Sequence, residues 1–202
     1  MRKHHSGVTL VELVVSIVII GILASAFITF FMTQTTLFFY TPERIKTQMM
    51  AAELMDTMIE GDSVVSGIRF AGRRADGTGT IVHNATLPTN AFNLTYTYSG
   101  GDLAVHTITL SYDAGTSTVR RAIDGGALAV IPPYGSTLFK VTPAEVSFFR
   151  YYNAAGVEIV PPFTVAQLAT IYRVDISFRA NVAATMADFL VKSGTEIKRY
   201  TS

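Results

Sequence analysis

The feature that most constrains this chain is a long run without charge. From Leu13 to Pro42 there is no Asp, Glu, Lys or Arg, and one carboxylate, Glu12, stands at the head of the run. An apolar segment of about 18 residues or more is long enough to cross a bilayer as a helix. No other run in the 202 residues approaches that length. A charged side chain at the centre of such a helix costs roughly 2.5–3.5 kcal/mol, so Glu12 calls for a partner or for a nearby interface.

Two readings of the run compete. In the first it is a secretory signal: Arg2 and Lys3 form the basic region, and Ala24-Ser25-Ala26 offers a cleavage site that would start the mature protein at Phe27. Against this, the apolar stretch continues beyond the cut as Phe27-Ile28-Thr29-Phe30-Phe31-Met32, and a signal has no use for Glu12. In the second reading the run is a single-pass anchor. Arg2 and Lys3 precede it and no basic residue follows until Arg44, which keeps the N-terminus in the cytoplasm and sends the remainder outside. Glu12, a turn from the end, could then simply reach back to the interface.

The segment Ser6-Gly7-Val8-Thr9-Leu10-Val11-Glu12 resembles the processing site of type IV prepilins and of the pseudopilins of type II secretion. The resemblance implies cleavage after Gly7 by a prepilin peptidase, which also methylates the new terminal amine of Val8. Phenylalanine or methionine is commoner after the cut in that family, and Val8 departs from this. Glu12 becomes the fifth mature residue, where the family keeps its glutamate. In an assembling filament, the resemblance implies that Glu12 of an incoming subunit meets the Val8 amine of the subunit before it. That charge-assisted pairing lowers the cost of a carboxylate in lipid and favours one register. The implied organisation is a leader over 1–7, a transmembrane and assembly helix over 8–40, an amphipathic helix over 41–61 and a periplasmic head over 62–202. The implied partners are other pilin-like subunits in a hetero-oligomeric filament, the prepilin peptidase and methylase, and an inner-membrane assembly platform. Before assembly the protein would reside in the inner membrane.

Beyond the run, Thr41-Pro42-Glu43-Arg44 reads either as a helix restart, with Thr41 as cap and Pro42 in the first turn, or as a proline within one long helix. The stretch that follows is amphipathic. Ile45, Met49, Ala52, Met55 and Ile59 fall at helical spacing, with Leu54 and Met58 widening the stripe, which predicts a face packed on the head. Gly61 offers a stop. Strand patterns fill the rest: 92–98 and 103–112 as a hairpin about Gly100-Gly101, then 117–123. Residues 146–152 turn at 153–156 into 157–159. Tyr172, Val174, Ile176 and Phe178 alternate with Arg173, Asp175, Ser177 and Arg179, a period of two that predicts one buried and one wet face. Helix first and strands after describe an α+β fold, here a pilin-like one with a long N-terminal helix packed on an antiparallel sheet. The tracts VRRAIDGG, VSFFRYYNAAG and IYRVDISFRANV look like the J-type minor pseudopilin of type II secretion and the related W-type minor pilins. That implies a subunit near the filament tip that primes assembly and assists export.

Little in the head points to catalysis. There is no cysteine, hence no disulfide or thiolate site. His4 and His5 lie in the leader, and His83 and His106 are the other histidines; His106 reads as an ordinary sheet residue. Asp113, Asp124, Glu145, Glu158 and Asp175 form no obvious acid–base pair, and Asp76-Gly77-Thr78-Gly79 lacks a calcium ladder. No catalytic residue, cofactor or metal is expected. Arg73-Arg74, Arg120-Arg121 and Lys198-Arg199 are three basic doublets. If they converged they could contact phosphates, making a DNA-binding or adhesive head the rival function. A net charge of +1 argues for solvated strand ends instead.

Overall fold

A computed structural model describes residues 9–71, 81–82, 84, 86–99, 104–131, 139–181 and 189–197, and over 36–43 the backbone alone. Gly7, Val8, His4, His5, Arg73-Arg74, Asp76 to Gly79, His83, Gly100-Gly101, Pro132-Pro133 and Lys198-Arg199 lie outside the described residues. The chain divides into two compact units, Met1–Ile45 and Lys46–Ser202. Helix α1, Leu10–Ile59, contributes to both, and its backbone is helical through Thr41-Pro42 without a restart.

In the first unit every described side chain of α1 from Leu10 to Thr35 is exposed. In the second, α1 becomes two-sided. Thr47, Met50, Ala51, Leu54, Met55, Met58 and Ile59 are buried, spaced i, i+3, i+4, i+7, i+8, i+11, i+12 along one face. This corrects the expected stripe. Leu54, Met55, Met58 and Ile59 belong to it, but Ile45, Met49 and Ala52 are exposed, Met49 by 67%. At about 100° per residue, these three lie half a turn from Thr47 and Leu54. The N-terminal half of the pattern contains apolar residues on both sides, so periodicity alone set the face too far round.

Past Ile59 the chain reverses sharply. Gly61 adopts φ +95, a left-handed conformation that an added Cβ would strain. That Cβ would also meet the Val65 carbonyl oxygen at 2.1 Å. Gly67 returns so close to the helix end that a Cβ there would lie 2.3 Å from the Ile59 carbonyl oxygen. Between them, Asp62 accepts hydrogen bonds from the Val64 N–H at 2.9 Å and the Val65 N–H at 3.0 Å. Its other oxygen holds Arg121 of the sheet at 2.7 Å. Tyr96 donates to the Ser66 carbonyl at 2.9 Å, and Arg69 pairs with Glu60. A single 3-10 turn, Ile68–Phe70, follows.

Two antiparallel sheets receive the buried face. The first is a meander of β1 (Asn93–Ser99), β2 (Val105–Asp113), β3 (Thr118–Ile123) and β4 (Ala129–Val130) in that order. In the second, β8 (Arg173–Asn181) is central. Along one edge it pairs with β9 (Phe189–Glu196); along the other it pairs with β6 (Phe149–Tyr152) and then β5 (Lys140–Pro143). Strand β7 (Glu158–Ile159) extends β6. A short helix, α2 (Val165–Thr170), carries a capping box in which Thr164 and Gln167 serve each other's backbone N–H. The core gathers Leu54 and Met58 of α1 with Tyr96, Leu110, Phe148, Phe149, Tyr151, Val174, Ile176 and Phe178. Phe148 stacks on Phe178 with ring centroids 5.6 Å apart.

The period-two reading of β8 holds for Val174, Ile176 and Phe178, all buried, while Arg179 is exposed and Arg173 and Asp175 are half-buried. Tyr172 precedes the strand, is 37% exposed, and donates to Glu196 at 3.0 Å, while Ser177 is buried. In β1 the five residues Leu94–Tyr98 are all buried. Described residues of the 81–91 segment run along the free edge of β1, where Val82 N–H donates to the Thr95 carbonyl and Thr89 Oγ1 accepts from the Thr95 N–H, and Asn84 donates to Thr109 Oγ1 at 3.2 Å. Thr95 and Thr109 share a hydroxyl hydrogen bond of 3.1 Å, satisfying groups that would otherwise be costly to bury.

Two stability measurements test this account in the solubilised full chain. Leu54→Ala should lower the unfolding free energy by about 2–5 kcal/mol, whereas Met49→Ala should change it by less than about 0.5 kcal/mol, read from denaturant midpoints by circular dichroism. Burial pushes the Asp62 carboxyl up, but the Val64 N–H, the Arg121 guanidinium and the Val65 N–H together hold it below its ordinary value. A depressed carboxyl contributes stability that is full above the unfolded value near pH 4 and is lost as pH falls through the folded value. Asp62→Asn should therefore flatten part of the acid limb of the stability curve, and Asp62→Ala should cost about 1–2 kcal/mol at neutral pH.

Candidate functional site

The start of α1 is organised by its own first turn. Thr9 precedes the helix and its Oγ1 accepts the Glu12 N–H at 3.3 Å, while the Thr9 carbonyl accepts the Leu13 N–H at 3.1 Å. Thr9 is thus the N-cap and Glu12 the third helical residue, the spacing of a capping box. A carboxylate in the first turn faces the positive end of the helix dipole and its unsatisfied N–H groups. The T-x-x-E pattern was present in the sequence but obscured by the apolar surroundings. The Glu12 residue is exposed, and its carboxylate has no partner among the described residues. A cation arriving at the head of the helix would find it available.

Behind it, Leu10–Thr35 has mean hydropathy 2.7 and is long and apolar enough to cross a membrane. At about 1.5 Å per residue this length exceeds the roughly 30 Å hydrocarbon layer. Its hydroxyls are satisfied within the helix. Ser16 donates to the Glu12 carbonyl at 2.7 Å, Ser25 to Ile22 at 2.8 Å, Thr29 to Ser25 at 2.9 Å and Thr33 to Thr29 at 2.9 Å; Thr35 donates to Phe31. Such back-bonding removes the penalty of an unpaired hydroxyl in hydrocarbon. The helix runs unbroken through Ala24-Ser25-Ala26.

Three of the head carboxylates singled out in the sequence, Glu145, Glu158 and Asp175, lie on the second sheet and the loop before β6. Arg150 gathers Glu158 at 2.7 Å and Glu145 at 3.3 Å, and Lys192 holds Glu145 at 2.9 Å. The Arg150 hydrogen bond holds the Glu158 carboxyl below its usual value, and Lys192 and then Arg150 do the same for Glu145. Asp175 pairs with Arg173 at 3.0 Å and lies over Gly194 of β9, where an added Cβ would meet its Oδ1 at 2.2 Å. Of these groups Glu145, Arg150, Asp175 and Lys192 line a cavity of about 300 Å³ with Ser177, Ser193 and Gly194. His106 Nδ1 meets Asp124 Oδ2 at 2.8 Å, and the other oxygen of Asp124 accepts the Thr107 N–H at 2.7 Å. His106 holds the Asp124 carboxyl below its usual value. Each of these carboxylates is met by a basic side chain. Among the described residues no group of three or more His, Asp or Glu could hold a metal ion.

The doublet Arg120-Arg121 divides. Successive strand residues point to opposite faces, and Arg120 binds Asp113 at 2.6 Å while Arg121 binds Asp62 at 2.7 Å. The two guanidinium groups therefore neither converge nor stand free for phosphate.

Comparison with known proteins bears on the N-terminal segment. Residues 2–28 match the family model of the prokaryotic N-terminal methylation motif, the type IV pilin signal. No curated protein and no solved structure matches the chain. The motif indicates a type IV pilin-like protein processed by prepilin peptidase and implies assembly with other pilin subunits. The apolar helix that overlaps it, Leu10–Thr35, has the length and composition of an inner-membrane anchor.

Proposed function

We propose that this chain is a minor pilin-like subunit of a type II secretion pseudopilus or a type IV pilus. It is cleaved after Gly7, methylated on the Val8 amine, and held in the inner membrane by Leu10–Thr35 until it enters the filament. Arg2 and Lys3 before the span keep the N-terminus cytoplasmic and place the head in the periplasm. The observation that carries the reading is Glu12: an exposed carboxylate without a partner among the described residues, in the first turn of an otherwise uncharged span, inside a methylation motif. A methylated amine remains a cation. The Val8 amine of a neighbouring subunit supplies the charge that Glu12 lacks, and the low-dielectric surroundings strengthen the pair. A head this large relative to its helix, with the J-type and W-type tracts, supports a place near the tip among other minor subunits that prime assembly and assist export.

The test is the intact mass and N-terminal sequence of protein extracted from its native membrane. A start at Val8 carrying one extra methyl is expected. A start at Phe27 would remove Glu12 and end the filament reading. Glu12→Gln should leave cleavage after Gly7 intact and reduce incorporation into sheared filaments by about tenfold or more, the scale of a lost charge-assisted pair. Incorporation at the unsubstituted level would overturn the role given to Glu12.

A further inference from the structure

Ten carboxylates are described in the Lys46–Ser202 unit, and eight of them have a partner. Glu60, Asp62, Asp113, Asp124, Glu145, Glu158 and Asp175 meet basic side chains, and Glu196 accepts from Tyr172. Glu53 and Asp56 have none among the described residues. Both stand exposed on the outer face of α1, opposite the buried stripe. Three physical terms act against leaving them alone. They are like charges three residues apart on one helix face, worth a few tenths of a kcal/mol in repulsion. Asp56 lies in the last turn of α1, where the dipole disfavours an anion. The last turn of α1 also contains no basic residue to offset them.

The same face continues in order. Lys46, Met49, Glu53 and Asp56 recur at i, i+3, i+7 and i+10, with Ala52 beside them, and all five are exposed. Lys46 likewise has no partner among the described residues, and it stands too far along the helix to reach Glu53. The face therefore presents a cation, a flexible apolar side chain, a small residue that permits close approach, and two anions. A helix with this charge order, parallel to the first and advanced by seven to ten residues, sets its cation beside these anions. At about 1.5 Å per residue the advance is roughly 10–15 Å.

We propose that Lys46, Met49, Ala52, Glu53 and Asp56 form the docking surface for the parallel helix of a second pilin-like subunit, whose basic side chain is held between Glu53 and Asp56. The inference rests on the pilin-like reading above, because a shared membrane span is what makes neighbouring helices parallel. Met49 adapts to the incoming side chains, and the charge order sets the stagger as opposite charges set register in coiled coils.

The chain contains no cysteine, so Ala52→Cys in the full-length protein offers a single attachment point for a benzophenone maleimide. Irradiation in native membranes and filaments is expected to join Cys-linked benzophenone to the helix of a chain whose own N-terminus is methylated, this chain or another. Glu53→Lys combined with Asp56→Lys should reduce that adduct to background, and Glu53→Gln with Asp56→Gln should weaken it severalfold, while circular dichroism shows the head still folded. An adduct that survives charge reversal, one formed only with a chain lacking the methylated N-terminus, or no protein adduct at all would overturn the proposal. The N-terminal mass of the same sample tests the underlying reading separately: a methylated Val8 with no adduct defeats the docking surface alone, whereas a different start defeats the pilin-like reading itself.

Discussion

The rest of the head depends on one contact, the burial of the Thr47–Ile59 face of α1 against the two sheets. Leu54 and Met58 are almost wholly enclosed and Ala51 is completely so. Each large apolar side chain buried in this way contributes about 1.5–3 kcal/mol. Because the contact uses a continuous i, i+3, i+4, i+7 stripe, it also fixes the rotation of the helix about its axis. The sharp return through Gly61 and Gly67 holds that rotation, with Asp62 and Arg121 joining the return to β3 and Tyr96 joining it to β1. Lys46, Glu53 and Asp56 face outward as a consequence of what faces inward.

The one helical element serves two solvents. Along Leu10–Thr35 every described side chain is exposed and most are apolar, which suits lipid, and the hydroxyls among them turn back onto their own helix. From Thr47 onward one side is apolar and enclosed while the other is charged. Glu12 is the charged group of the span, and the helix does not fully meet its needs. Capping places it in the first turn but leaves its carboxylate without a partner among the described residues, and this is the group that the proposed function pairs with a neighbouring subunit's amine.

The wet face of the second sheet follows the opposite logic. Glu145, Arg150, Glu158, Lys192, Arg173 and Asp175 satisfy one another across four strands and the loop before β6. Exposed pairs of this kind add little stability each, typically under about 1 kcal/mol. Their effect is to align β6, β7, β8 and β9, and Gly194 fits the scheme by leaving room for the Asp175 carboxylate. The Glu145–Arg150–Glu158–Lys192 cluster, whose charges are already matched, has less to offer a charged ligand than the outer face of α1, where Glu53 and Asp56 have no partner among the described residues.

Much of this was legible in the chain itself. A long uncharged run dictates a span, and a glycine with T-L-V-E spacing behind a basic leader carries the methylation signal. Strict alternation over 172–179 dictates a half-buried strand, because these patterns depend only on local geometry and on the avoidance of water. The facing of the amphipathic helix was not legible. Ile45, Met49 and Ala52 are as apolar as Met50 and Ala51, and only the sheet they might have touched could decide between them. Strands β4, β5 and β9 are short or polar on one side and became strands through their neighbours' free backbone groups. The pairing of Asp62 with Arg121, and of Arg150 with both Glu145 and Glu158, joins residues distant in sequence. Local sequence determined where the chain is helical, where it can enter a membrane and which carboxylate stands at the head of the span. Tertiary structure decided which charges are neutralised and which remain free, because that depends on which side chains the folded chain brings within hydrogen-bonding reach.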